Sequence, residues 1–279
     1  MLELCVCAAN ISTERWKGQD IKILLIGDVV GKPGRQIIKE KLPGLIASRN
    51  LDFIIANGEN AADGSGILPA HVKELTDAGV DVITTGDHIW KKAQIAEFIR
   101  NEVPLLRPAN YPMESAGRGH AIFNTRNGQR IGVLNLIGRV YMNPADCPFR
   151  VADAAIRAMK LQAKVIIVDM HAEATSEKVA MGWHLDGRVT AVIGTHTHVP
   201  TADAQLLSQG TAYMTDVGMT GPYKSVIGRK IDKVLHKFIT GMYAPFDVAT
   251  DDVRACAALI KADDASGKAT AIERIELKG

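Results

Sequence analysis

Seven residues able to hold metal recur at equivalent places in this 279-residue chain. Asp28 ends ILLIGD, Glu59 sits in IIANGEN, and Asp87 and His88 end VITTGDH. His171 ends VIIVDMH, and His196 and His198 close VIGTHTH. All but Glu59 come directly after a β-branched, apolar run, usually beside a glycine; Glu59 follows a similar run within a residue or two. Carboxylate and imidazole together suit borderline divalent metals such as Mn, Fe or Zn. A glutamate can bridge two ions, and ions ~3.5–4 Å apart clamp the attacking and leaving oxygens of an in-line displacement. His196 and His198 are two apart, so an extended segment would turn both to one side, toward neighbouring ions. Any one of these residues alone reads more readily as a turn, a cap or a packed side chain. All of them in order read as a metal site.

The elements that must position them alternate strand and helix from Ile21. Ile21–Gly27 reads as a buried strand. Pro33 suits a helix first turn, and Ile37, Ile38, Leu42, Leu45 and Ile46 recur at helical spacing. Pro43 within that pattern predicts a kink or two shorter helices. Strands follow at Leu51–Ala56 and Asp81–Thr85, with helices from Pro69 and around Ile95, Phe98 and Ile99 between and after them. Asp28, Glu59 and Asp87 are thus spaced by about one βαβ unit, ~30 residues, and parallel strands deliver all three to one sheet edge. Ligands of open α/β sheets bind beyond that edge.

After Pro104 the pattern changes. His120–Phe123 and Ile131–Ile137 form a hairpin with Asn127-Gly128 as its turn. A helix over Val151–Leu161 and strands at Val165–Asp169, Val189–Ile193 and Tyr213–Val217 follow. Arg254–Lys261 and Thr270–Leu277 make a final strand pair around ASGK. Two sheets with flanking helices fit this order better than a single Rossmann sheet.

Composition sets the frame. With 47% apolar and 23% charged residues and a net charge of +2, the chain is an ordinary globular α/β protein. Nothing demands a nucleic-acid or membrane partner, and no apolar stretch is long enough to span a bilayer. Cys5, Cys7, Cys147 and Cys256 make no disulfide framework, which is compatible with a reducing cytoplasm. Residues 1–20 have an early Glu3 and no basic start, so they read as a poorly ordered extension rather than a signal peptide. Residues 21–279 read as one domain.

The series GDVVGKPGR, NGENAADGSGI, TTGDHIW, DMHAEATSEK, GTHTHVPTAD and TDVGMTGP resembles the YmdB-like bacterial metallophosphoesterases of the calcineurin-like superfamily. The resemblance runs from about Ile21 to Leu277. It lacks the superfamily's D-x-H opening, since Val29 and Val30 follow Asp28, and this departure is typical of the YmdB-like branch. The resemblance implies a four-layer α/β/β/α sandwich with two mixed sheets and a pair of ions. Asp28, Glu59, Asn60 and His198 would hold the first ion. Glu59 as bridge, with Asp87, His171 and His196, would hold the second. His88 would be the proton donor. Iron is the first expectation, with manganese or magnesium as alternatives. The family commonly has asparagine where this chain has Asp87, which adds a negative charge and predicts tighter metal binding with weaker Lewis acidity.

The implied activity is hydrolysis of 2′,3′-cyclic nucleotides by a metal-bound hydroxide, with 3′,5′-cAMP a further candidate substrate. A phosphomonoesterase or nuclease with the same core is the enzymatic alternative; a metal-bound regulatory or RNA-binding protein without turnover is the other. An amidohydrolase barrel would place its H-x-H after the first strand, and a metallo-β-lactamase site needs H-x-H-x-D-H, where Val199, Pro200 and Thr201 stand here. The expected partner is a small phosphodiester, with no membrane and no stable nucleic-acid partner; a homo-oligomer is compatible with the sequence. Gly31, Gly34 and Arg35 suggest a tight turn with a solvated arginine rather than a phosphate contact. Asp216–Pro222 reads equally as a pocket lining and a structural turn, and Arg107 is a candidate anion contact. His71, His120, His184 and His236 read as non-ligands, and Trp90 and Trp183 as core.

Overall fold

Five strand ends converge on one edge of a two-sheet sandwich. The computed structural model describes residues 20–101 and 103–279; the extension expected over 1–20 lies outside the described residues except for Asp20. The first half runs β1 (Asp20–Ile26), α1 (Gly31–Arg49), β2 (Phe53–Asn57), α2 (Pro69–Asp77), β3 (Val82–Thr84) and α3 (Gln94–Phe98). The second contains β4 (His120–Asn124), β5 (Arg130–Ile137), α4 (Pro148–Met159), β6 (Val165–His171), α5 (Thr175–Leu185) and β7 (Ala191–Thr195). Then come β8 (Gln205–Leu206), β9 (Ala212–Met214), β10 (Gly221–Pro222), α6 (Ile231–Thr240), β11 (Val253–Asp263) and β12 (Ala269–Lys278).

One six-stranded sheet has the order β10-β11-β1-β2-β3, with β12 on the other side of β11. β1, β2 and β3 are parallel, and β11 runs antiparallel to β1. The other has the order β4-β5-β6-β7-β9-β8, with β5, β6, β7 and β9 parallel. Both sheets are mixed.

Three apolar layers hold the sandwich together. Leu24, Ile26, Ile54 and Ile83 pack with Ile38, Leu42, Val72 and Leu75 of α1 and α2. Ile23, Leu25, Phe53 and Ile55 face Val133, Ile167 and Ile193 of the opposing sheet. Leu134, Leu136, Ile166 and Val168 pack with Ile156 of α4 and Met181 of α5. Alternate residues of each strand therefore enter different layers, and strands covered on both faces read as unbroken aliphatic runs. The order of layers is helix, sheet, sheet, helix, as expected.

Three local readings need correction. α1 runs through Pro43 as one 19-residue helix, which rules out two shorter helices there. Its end is set at Asn50, whose left-handed backbone lets its N–H reach the Ile46 carbonyl. α5 and α6 were not foreseen. α5 buries Glu177 and Lys178 alongside Met181 and Leu185, so its inward face does not read as apolar. Trp90 and Trp183 are 36% and 58% exposed rather than core. The hairpin forms as predicted, with Gly128 at φ 84° in its turn.

Candidate metal centre

Asp28 lies two residues beyond β1, Glu59 two beyond β2 and Asp87 three beyond β3, while His171 ends β6 and His196 follows β7. Parallel strand direction puts all five at the same edge. Glu59, Asp87, His171 and His196 each offer one ligand atom, and these atoms lie within 4.8 Å of one another. Glu59 Oε2 is 3.1 Å from His171 Nε2, and Asp87 Oδ1 is 3.4 Å from the same nitrogen and 3.5 Å from His196 Nδ1. Asp28 and His198 stand beside this group more loosely, 3.9 Å apart through Oδ1 and Nε2.

The histidine pair reaches the site by a route the sequence did not suggest. His196 and His198 have φ of 100° and 66°, so the segment is coiled rather than extended. Left-handed backbone in a residue with a side chain is costly and survives where the surroundings fix it. Here Asp28 Oδ2 accepts from the His196 N–H at 3.1 Å. Below the loop, Asp216 Oδ2 accepts from the Thr197 N–H and hydroxyl at 3.1 and 2.8 Å, and from Lys178 Nζ at 2.7 Å. Lys178 also donates to the Thr195 carbonyl at 3.0 Å. Asp216 is thus a buried support for the loop and not a pocket wall.

The imidazoles are oriented from behind. His171 Nδ1 lies 2.9 Å from Thr195 Oγ1, which donates to Asp169 Oδ1 at 2.7 Å. Asn57 Nδ2 bridges Asp169 at 3.1 Å and Thr195 at 3.3 Å, joining the two sheets beneath the cluster. His198 Nδ1 is 2.9 Å from the Ile227 carbonyl, which leaves Nε2 for the site. Partners of this kind fix which ring nitrogen is free to ligate.

His88 Nδ1 lies 2.9 Å from Asn60 Oδ1. The Asn60 amide nitrogen faces Glu59 Oε1 at 2.9 Å and His198 Nε2 at 3.1 Å. Its oxygen therefore points to His88, and ligation through that oxygen requires the amide to turn over. Glu173, which sequence reasoning passed over, places Oε2 3.2 Å from His196 Nε2. Its signal was its position two residues beyond His171. Asp169 was legible too: on a strand it shares a side with His171.

Electrostatically the site is short of positive charge. Burial pushes the Asp28 carboxyl up to about 6 against the pull of His171 and His198. Burial also opposes ionisation of Glu59, but His171 and His88 hold it well below the usual carboxylate range. For His171 burial works against charge, and Glu59, Asp87 and Asp28 outweigh it and raise the group well above an ordinary histidine. Burial, reinforced by His171, drops His196 to about 4. The acids demand positive charge here, and among the described residues the imidazoles answer it.

The donor set fits a cation. Asp28 Oδ1 and Asp87 Oδ1 are buried without a hydrogen-bond partner, which native interiors rarely tolerate. Gly86 leaves the space between His171 Nε2 and Glu59 Oε2 clear, because a methyl group there would meet both atoms. Elsewhere the softer candidates have structural roles. Arg35 pairs with Glu74 at 2.6 Å and also bonds the Ala61 carbonyl, so it is not solvated. Arg107 donates to the carbonyls of Pro108, Ala116 and Ser115.

Comparison with known proteins bears on the family and the fold. The sequence profile of the YmdB-like protein family matches residues 24–275. A Bacillus subtilis protein named 2′,3′-cyclic-nucleotide 2′-phosphodiesterase is 45% identical over 91% of this chain and 96% of its own length. A crystal structure of a hypothetical protein from Thermus thermophilus superposes with a TM-score of 0.87 at 40% identity, covering 92% of this chain and 99% of that one. A novel phosphatase from Mycoplasma pneumoniae superposes equally well, TM-score 0.87, at 36% identity and 94% coverage of both chains.

Proposed function

The chain belongs to the YmdB-like protein family, and from that premise we propose that it is a metal-dependent phosphoric diester hydrolase acting on 2′,3′-cyclic nucleotides. The observation that carries the proposal is the meeting of Glu59, Asp87, His171 and His196, from four different strand ends, within 4.8 Å. In this reading Asp28, Glu59, Asn60 and His198 hold one ion, and Glu59, Asp87, His171 and His196 the other. Asn60 joins the first set once its amide turns over. When bound, two such ions supply positive charge to the phosphoryl oxygens and lower the pKa of water toward neutrality. Oxygen and imidazole donors suit iron or manganese, with magnesium a weaker match to the histidines.

The protein's own part is orientation and proton delivery. His88 follows Asp87 directly, with Nδ1 2.9 Å from Asn60 Oδ1 and Nε2 3.6 Å from Asp87 Oδ2, and in this reading Nε2 is the nitrogen that hands its proton to the substrate. A hydrogen bond with Glu59 raises its pKa despite burial, which keeps the ring protonated closer to neutral pH. Water adds its oxygen to phosphorus, the P–O2′ bond breaks, and the proton passes from Nε2 to ribose O2′; the proton that the water gives up restores the ring, and the product is a nucleoside 3′-phosphate. Breaking the 3′,5′-cyclic bond of cAMP needs the same parts. The domain spans residues 21–279, and the enzyme is cytoplasmic; among the described residues no helix is long and apolar enough to cross a membrane.

A panel of 2′,3′-cyclic nucleotide, 3′,5′-cAMP, linear dinucleotide and phosphomonoester, assayed with manganese or iron and after chelation, tests the proposal. The expected result is chelator-sensitive conversion of the 2′,3′-cyclic substrate to the 3′-phosphate. Turnover of the monoester or the linear dinucleotide alone would replace the reading with phosphomonoesterase or nuclease. Metal binding without any turnover would favour a regulatory protein.

A further inference from the structure

α6 faces the wrong way for a helix on the surface of a lone chain. Such a helix ordinarily turns its apolar stripe to the core and its charges to water. In α6, Ile231, Leu235, Phe238 and Ile239 are separated by four, three and one residues, which places them on one face. The chain's own core takes only Val234, at the edge of that face. Phe238 and Ile239 are 75% and 79% exposed. Met242 and Tyr243, just past the Gly241 cap, remain 56% and 87% exposed. Among the described residues nothing covers this surface.

We infer that this face is an interface between two copies of the chain, packed helix against helix. Size is the first argument. With a large side chain presenting at most ~150–250 Å² and these six 42–87% exposed, together they present on the order of 700 Å², most of it apolar. That exceeds the ~300–600 Å² typical of the largest patch on a monomer. It approaches the ~800 Å² that each partner gives to a standard two-chain contact. Composition is the second. The stripe holds no charge, the mark of a permanent contact rather than a transient one, and closed homo-oligomers are the commonest permanent assemblies of soluble chains. The rim is the third. It carries Asp232 and Asp247 as well as lysines, with Lys230 and Asp247 3.6 Å apart. Both signs suit a second copy bearing the same rim; an anionic lipid surface would favour a uniformly basic flank.

The interface adjoins the metal edge. Ile227, four residues before α6 and 54% exposed, supplies the carbonyl facing His198 Nδ1. Arg229 ties the same segment to the Asp63 and Phe246 carbonyls at 2.9 and 2.8 Å. Dimer contact therefore braces the segment behind His198.

Light scattering of the full chain after gel filtration, at micromolar concentration, tests the inference. The wild type should run as a dimer or a larger even assembly. The double variant Phe238→Glu/Ile239→Lys should fall to the mass of one chain, with an unchanged far-ultraviolet circular dichroism spectrum because those side chains contribute little to the core. Should that pair fail to fold, Tyr243→Lys alone should weaken association at least tenfold. A wild type of single-chain mass overturns the inference, as does a folded double variant of wild-type mass. Wild-type monomer that sediments with anionic vesicles would assign the face to lipid instead.

Discussion

Lys178 and Asp216 form an ion pair of 2.7 Å with both side chains 1% exposed, directly beneath the loop that carries His196 and His198. The lysine rises from α5 and the aspartate hangs from the segment after β9, so the pair locks two elements to the loop at once. Removing one partner of a buried pair leaves an uncompensated charge. Lys178→Met should therefore lower stability by about 3–5 kcal/mol. Urea denaturation of the metal-free protein measures it, and a loss smaller than about 1 kcal/mol would mean that the pair is not tightening the loop. Adding Asp216→Asn should recover part of the loss.

Gly86 has a consequence that a glycine in a turn would not. A Cβ at this position would sit against His171 Nε2 and Glu59 Oε2. Gly86→Ala should abolish tight manganese binding in calorimetry while the protein still unfolds cooperatively. Undiminished affinity would remove the ion from the space between those two atoms.

His88→Ala isolates the proton donor. A positioned acid contributes roughly 10²–10⁴-fold, so turnover of the cyclic substrate should fall in that range with metal content retained. A fall of less than tenfold, or loss of metal along with activity, would reassign His88 to support of Asn60 and Glu59.

His120 makes stability depend on pH away from the site. Burial, with Arg107 and Arg118 nearby, lowers its pKa below the ordinary 6.5. Above 6.5 both folded and unfolded chains hold it neutral. As pH falls through 6.5 the unfolded chain takes up a proton first, so stability is lost across the window just below that value. Denaturation of chelator-treated protein at pH 7.5 and 5.5 should show a smaller acid loss in His120→Gln than in wild type. Identical losses would count against the assignment.

The strands were legible because both sheets are covered on both faces, which writes each as an aliphatic run ending in a polar residue. That same feature exposed Asp28, Glu59, Asp87 and His171 at the carboxyl ends. Hidden from sequence were relationships that depend on the third dimension. Lys178 and Glu177 look like the solvated face of a helix until α5 is seen to point them inward. The coil at His196 and His198 was unreadable because its strain is paid by Asp28 and Asp216, residues distant in the chain. α6 escaped notice for a related reason: its apolar spacing has no matching cover in its own fold.

The placement of β1 between β2 and β11 has a temporal side. The strand leading to Asp28 is among the first made, yet its antiparallel neighbour is nearly the last. Contacts that span so much sequence form late, since the intervening loop must close first. A nascent polypeptide leaving the ribosome thus displays Asp28, Glu59 and Asp87 well before His171, His196 and His198 arrive to meet them. Ion loading has to wait for a finished molecule, and a prematurely terminated product would carry carboxylates with nothing to share.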